Sequence, residues 1–108
     1  MFNYHDMGHL GVDRARLNAA IFAALKPGGS YVIADHSGRA GTGISESGTL
    51  HRVEESLVRR EVEAAGFRYD GESSVLANPA DSHTTGVFDK SIRGHTDQFI
   101  YRFRKPAA

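Results

Sequence analysis

The chain has 108 residues, enough for one small domain and too few for two ordinary ones. Its 13 Lys and Arg balance its 13 Asp and Glu, so no surface-wide charge draws in a nucleic acid or an anionic membrane. It has no cysteine, which excludes a disulfide scaffold, an iron–sulfur site, a cysteine-based zinc finger and a thiol nucleophile. No run approaches the roughly 18–20 apolar residues of a membrane span. The opening residues carry no basic head or apolar signal core, so the default expectation is a cytoplasmic protein without a secretory signal.

An edge strand is expected at residues 2 to 4, merging into the polar run Asn3-Tyr4-His5-Asp6. Residues 12 to 26 read as a helix. Asp13 suits the N-cap, and Leu17, Ala20, Ile21, Ala24 and Leu25 form an apolar stripe. Pro27 and Gly28-Gly29 then turn the chain. Tyr31-Val32-Ile33-Ala34 is a short, non-alternating β-rich run, the pattern of a strand covered on both faces. Asp35 and His36 fall at its C-terminal end, where open α/β sheets place their ligands.

Residues 37 to 48 form a long Gly-rich loop, either a plain surface excursion or a segment closing over a site. A second helix is expected over 49 to 65, with Leu50, Val53, Leu57, Val58 and Val62 inward and Gly66 at its end. A strand follows within Phe67 to Leu76, then a polar stretch with Val87-Phe88 and Ile92 as anchors. The last strand is Gln98 to Arg104, with Phe99, Tyr101 and Phe103 on one face.

Leu25-Lys26-Pro27-Gly28-Gly29 followed by Tyr31 to Asp35 resembles the turn into the fifth strand of class I S-adenosylmethionine-dependent methyltransferases. Glu61 to Phe67 resembles that family's last helix running into its sixth strand, and Phe99 to Phe103 resembles the seventh, which inserts antiparallel between strands five and six. Asn3-Tyr4-His5-Asp6 falls where the family ends its fourth strand. Asn78-Pro79, Phe88-Asp89, Ile92-Arg93-Gly94, Thr96-Asp97 and Lys105-Pro106 resemble pieces of a group of predicted bacterial methyltransferases. The resemblance spans nearly the whole chain but only the C-terminal half of the family domain. The Gly-rich cofactor loop and the ribose-binding acid of the other half have no counterpart. The implied fold is the C-terminal half of a Rossmann-like α/β sheet, strands four to seven, with the last strand antiparallel.

The resemblance implies methyl transfer from S-adenosylmethionine to a small-molecule acceptor. It places Asn3 and Tyr4 at the cofactor. His5, Asp6 and His36 become the catalytic candidates, with His5 as base and Asp6 orienting it. His51 lies beside the same cleft, His83 and His95 read as solvent-facing, and Arg93 with Asp97 reads as a packing pair. His5, Asp6 and His9, with His36 added, also invite a metal reading. Gly8 and Gly11 argue against a fixed frame for the first three, so no metal is expected. The competing expectation is non-catalytic. A half sheet exposes an edge near Phe2 to Tyr4 that would pair with a second copy or a complementing N-terminal half.

Overall fold

The computed structural model describes residues 1–107. Its elements in chain order are α1 (Tyr4–His9), α2 (Arg14–Ala24), β1 (Ser30–His36), α3 (Glu55–Ala64), β2 (Arg68–Ser73) and β3 (Gln98–Arg104). β3 lies between the other strands, in the order β1-β3-β2, and pairs antiparallel with both. β1 meets it along its whole length, from Ser30 opposite Arg104 to His36 opposite Gln98. β2 meets it from Arg68 opposite Arg104 to Ser73 opposite Ile100, with a register shift between Tyr69 and Gly71.

This corrects the expected fold class. The sheet has three strands rather than four, and every hydrogen-bonded strand pair among the described residues is antiparallel, unlike the parallel Rossmann-like methyltransferase sheet; of the expectation, the antiparallel last strand alone is found, with β3 between β1 and β2. The edge strand expected at residues 2 to 4 is also absent. Only Met1 lies along the free edge of β1: its amino group donates to the Val32 carbonyl at 2.7 Å, and its carbonyl accepts from the Ala34 N–H at 2.8 Å. From Tyr4 onward the chain coils into α1. Asn3, Asp6 and Gly8 disfavour a strand, and Asn3 takes the N-cap position of α1.

α2 starts as expected, with the Asp13 carboxylate accepting from the Arg16 N–H at 3.1 Å. It ends earlier, at Ala24, where Leu25 turns extended. Lys105 Nζ donates to the Phe22 and Leu25 carbonyls at 2.7 and 2.9 Å, placing a cation at the negative end of the helix. The inward face also differs from the expected stripe. Ala20 and Ala24 are exposed, whereas Asn18 is buried and Ile21, Phe22 and Leu25 pack on the core. Asn18 is tolerated inside because its amide is satisfied. It donates to Tyr4 Oη at 2.9 Å and accepts from Tyr31 Oη at 3.2 Å. Tyr4 Oη in turn donates to Glu61 at 2.8 Å, and Arg14 grips both oxygens of the same carboxylate at 2.7 and 2.9 Å.

α3 begins at Glu55, not at residue 49. Val53 instead bridges Ser37: its N–H donates to the His36 carbonyl at 3.1 Å and its carbonyl accepts from Gly38 at 2.9 Å. Gly66, at φ +110°, ends α3 in the expected way. The core lies between α2, α3 and one sheet face. It gathers Tyr31 and Ile33 from β1, Phe99, Tyr101 and Phe103 from β3, and Val58 and Val62 from α3.

The long segment between β2 and β3 is fastened by Arg52, which is fully buried. Its guanidinium donates twice to Asp81, at 2.8 and 3.0 Å, and once each to the Ser37 and Thr85 carbonyls at 3.0 Å. Asp81 also accepts from the His83 and Asp97 N–H groups at 3.0 and 2.8 Å. A buried ion pair is tolerable when its remaining donors and acceptors are filled in this way. Among the described residues, no helix is long and apolar enough to cross a membrane.

Candidate functional site

Four histidines converge beside the C-terminal end of β1. His5 and His9 stand one turn apart on α1, which gives them the common helical frame that Gly8 was expected to deny. His36 ends β1, and His51 comes from the loop before α3. Two glycines permit the approach of that loop to α1. A Cβ on Gly8 would lie 2.8 Å from Ser47 Oγ, and one on Gly48 would lie 2.9 Å from His9 Cβ. The His51 ring then stands 5.7 Å from that of His5 and 6.0 Å from that of His9, edge to face with each. The His36 and His5 rings are 6.0 Å apart.

His51 occupies this place at φ +57°, in the left-handed region. A residue other than glycine there stores strain on the order of 1–3 kcal/mol, and such strain concentrates at functional positions.

Asp35 organises the cluster from below. It is 2% exposed and accepts three hydrogen bonds: from the His5 N–H at 2.7 Å, from His5 Nδ1 at 2.7 Å and from the His36 N–H at 2.8 Å. A carboxylate only accepts, so His5 Nδ1 carries a proton toward Asp35, while Nε2 faces Asp6 Oδ1, 3.2 Å away. Asp6 Oδ1 also lies 3.6 Å from His9 Nε2. Burial alone would lower the His5 pKa, but the hydrogen bond to Asp35 and the charges of Asp35 and Asp6 outweigh it, so His5 titrates above the ordinary histidine value. His36 goes the other way. Burial lowers it, Asp35 offsets that in part, and the nearby His5 and Arg52 charges depress it further. Its Nδ1 lies 2.6 Å from Thr96 Oγ1.

Donor atoms of His5, Asp6 and His51 all lie within 4.8 Å of one another, a set that can hold a metal ion. The structure therefore brings together the expected His5, Asp6 and His36 with Asp35, expected at the same strand end, and His51, expected beside the same cleft. Asn3 is exposed at the N-cap of α1. Tyr4 is fully buried in the core, where burial and Glu61 push its hydroxyl pKa upward despite the opposing Asn18 bond. His83, expected in solvent, is half-buried with Nε2 2.8 Å from Asp97 Oδ2, while His95 and Arg93 are exposed. Sequence reasoning missed the Arg52–Asp81 tie. It also treated Phe88 as an apolar anchor, whereas only Val87 is buried and the exposed Phe88 ring stands 5.3 Å from that of His51. The adjacent His51-Arg52 between Leu50 and Val53 was the available signal, because two polar residues inside an apolar run need specific partners.

No protein-family model, curated protein or solved structure matches this chain. Together with the three-stranded antiparallel sheet, that finding overturns the expected assignment to the class I methyltransferases and the methyl-transfer function drawn from it.

Proposed function

We propose that this chain binds a first-row divalent metal ion, of the zinc or ferrous kind, through His5 Nε2, Asp6 and His51. What supports the reading is donor spacing. Two ligands at the usual ~2.0–2.1 Å from a tetrahedral ion stand roughly 3.3 Å apart, and His5 Nε2 lies 3.2 Å from Asp6 Oδ1. His51 closes the set. Two imidazoles and one carboxylate form a borderline donor set that suits zinc or ferrous iron better than magnesium or calcium.

Two further features favour the same reading. Asp35 bonds the far nitrogen of His5, the carboxylate–histidine–metal arrangement that fixes a ligand's tautomer and raises its basicity. His51 is held in a strained backbone conformation with its ring against those of His5 and His9. Three protein ligands leave one position for water or a small molecule, as catalytic centres do, whereas structural zinc sites are closed by four.

Calorimetry with zinc on the purified, chelator-treated chain tests the proposal. One ion per chain is expected, with heat lost in His5→Gln and His51→Gln but kept in His95→Gln. Equal heats in all four proteins would sink it.

A further inference from the structure

We infer that Phe88 sets the ligand preference of this centre, so that the open position takes an anionic oxygen ligand carrying an aromatic group. The inference rests on the metal reading above. A divalent ion held by two neutral imidazoles and one carboxylate keeps a net positive charge, which selects an anionic oxygen donor for the remaining position. Phe88 supplies the second half of the preference. The residue is 68% exposed, yet its ring centre stands 5.3 Å from that of the metal-ligand candidate His51, at an interplanar angle of 66°.

This exposure is not the looseness of a free tip. The neighbouring Val87 is buried, and its N–H donates to the Leu50 carbonyl at 3.2 Å, tying the segment to the residue before His51. On the other side, Asp89 closes a turn by donating to the Gly86 carbonyl at 3.0 Å, and its carboxylate accepts from the Ser91 N–H and hydroxyl at 2.9 and 2.6 Å. Phe88 is thus carried on a pinned turn, with one edge on His51 and most of its surface in water. Exposed aromatic area beside a polar centre is what a ligand's apolar part covers on binding.

The test uses the cobalt-loaded chain, because Co²⁺ reports its coordination by visible absorption. Cobalt uptake is measured first, and acetohydroxamate and benzohydroxamate are then titrated into the same sample. The benzo compound is expected to bind roughly three- to ten-fold more tightly, the range of one aromatic contact. In Phe88→Ala the ratio between the two compounds is expected to fall to about one. The ratio is internal to each protein, so it does not depend on how fully a variant loads.

The zinc-loaded wild type gives a second readout without any variant. Benzohydroxamate, and not acetohydroxamate, is expected to shift the Phe88 ring resonances. Cobalt bound with no preference in the wild type, a preference unchanged in Phe88→Ala, or unmoved Phe88 resonances would overturn this inference and leave the metal site standing. Failure of cobalt to bind at all would overturn both.

Discussion

Asp35 holds His5 at two points, accepting from its backbone N–H and from its ring Nδ1, each at 2.7 Å. One carboxylate at the end of β1 therefore fixes the position of the α1 backbone and the orientation of the imidazole it carries. Asp35→Asn keeps the shape but loses the charge and one of the acceptor oxygens. It is expected to weaken zinc binding by roughly 10–100-fold, the usual cost of losing such an orienting partner. It is also expected to lower the His5 titration midpoint, because the bond and charge that raise it are gone. Calorimetry and ring-proton NMR check the two effects, and an unchanged affinity would show that Asp35 does not orient a ligand.

His51 offers a test that separates function from stability. Its φ of +57° is one that glycine adopts without strain. His51→Gly is expected to leave the metal-free chain as stable or more stable, by up to about 1 kcal/mol, since backbone strain is relieved against some loss of ring contact. The same variant should lose tight zinc binding. Urea unfolding of the metal-free protein and calorimetry of the loaded one supply the pair of numbers. A variant that is less stable by more than about 1 kcal/mol would mark His51 as a structural residue.

The two shifted histidines act on stability in opposite senses. His5 titrates above its unfolded value of about 6.5, so its contribution is fully present below that pH and disappears as pH rises through its higher folded value. His36 titrates below the same reference, so its contribution is present above about pH 6.5 and disappears as pH falls through its lower folded value. In the metal-free chain, His36→Gln is expected to leave stability that declines on the alkaline side, and His5→Gln stability that declines on the acid side. Ring-proton titrations should order the two midpoints with His5 higher, and the reverse order would refute the charge assignment around Asp35.

Arg52 and Asp81 form a buried pair in which each also satisfies backbone groups. Removing one partner strands the other, so Arg52→Met is expected to cost about 3–5 kcal/mol. The double variant with Asp81→Leu is expected to recover part of that loss. Burial works against the Asp81 charge, yet the Arg52 bonds and the backbone donors hold its pKa below the usual carboxylate value. Its contribution is therefore present above the unfolded aspartate value and vanishes as pH falls through the depressed folded one. Unfolding curves at neutral and acid pH check both points, and fully additive losses in the double variant would contradict the pairing.

The sequence made the regular elements legible wherever local signals were strong. Asp13 capped its helix, Gly66 ended the next, and the alternation of Phe99, Tyr101 and Phe103 located β3. Those signals act within a few residues. What they did not convey was long-range pairing. The buried face of α2 follows Asn18, whose partners Tyr4 and Tyr31 lie far off in sequence. The start of α3 was misplaced because Leu50 and Val53 fit a helical period, whereas the left-handed His51 breaks the helix and Val53 bridges Ser37. Family resemblance extended local likeness, around Leu25 to Asp35, to a sheet that the chain does not form. His5, Asp6 and His36 were visible as candidates from their positions. His51 was legible as lying beside the cleft, whereas its contact with the His5 and His9 rings depends on the close approach at Gly8 and Gly48, a long-range pairing.

The most direct test of the metal centre is a zinc titration of the metal-free chain followed by histidine ring NMR. Saturation is expected at one ion per chain, with the His5 and His51 resonances shifting together while those of His83 and His95 stay in place. Saturable shifts confined to His83 or His95, or no saturable change up to zinc on the order of millimolar, the scale of weak association, would contradict it.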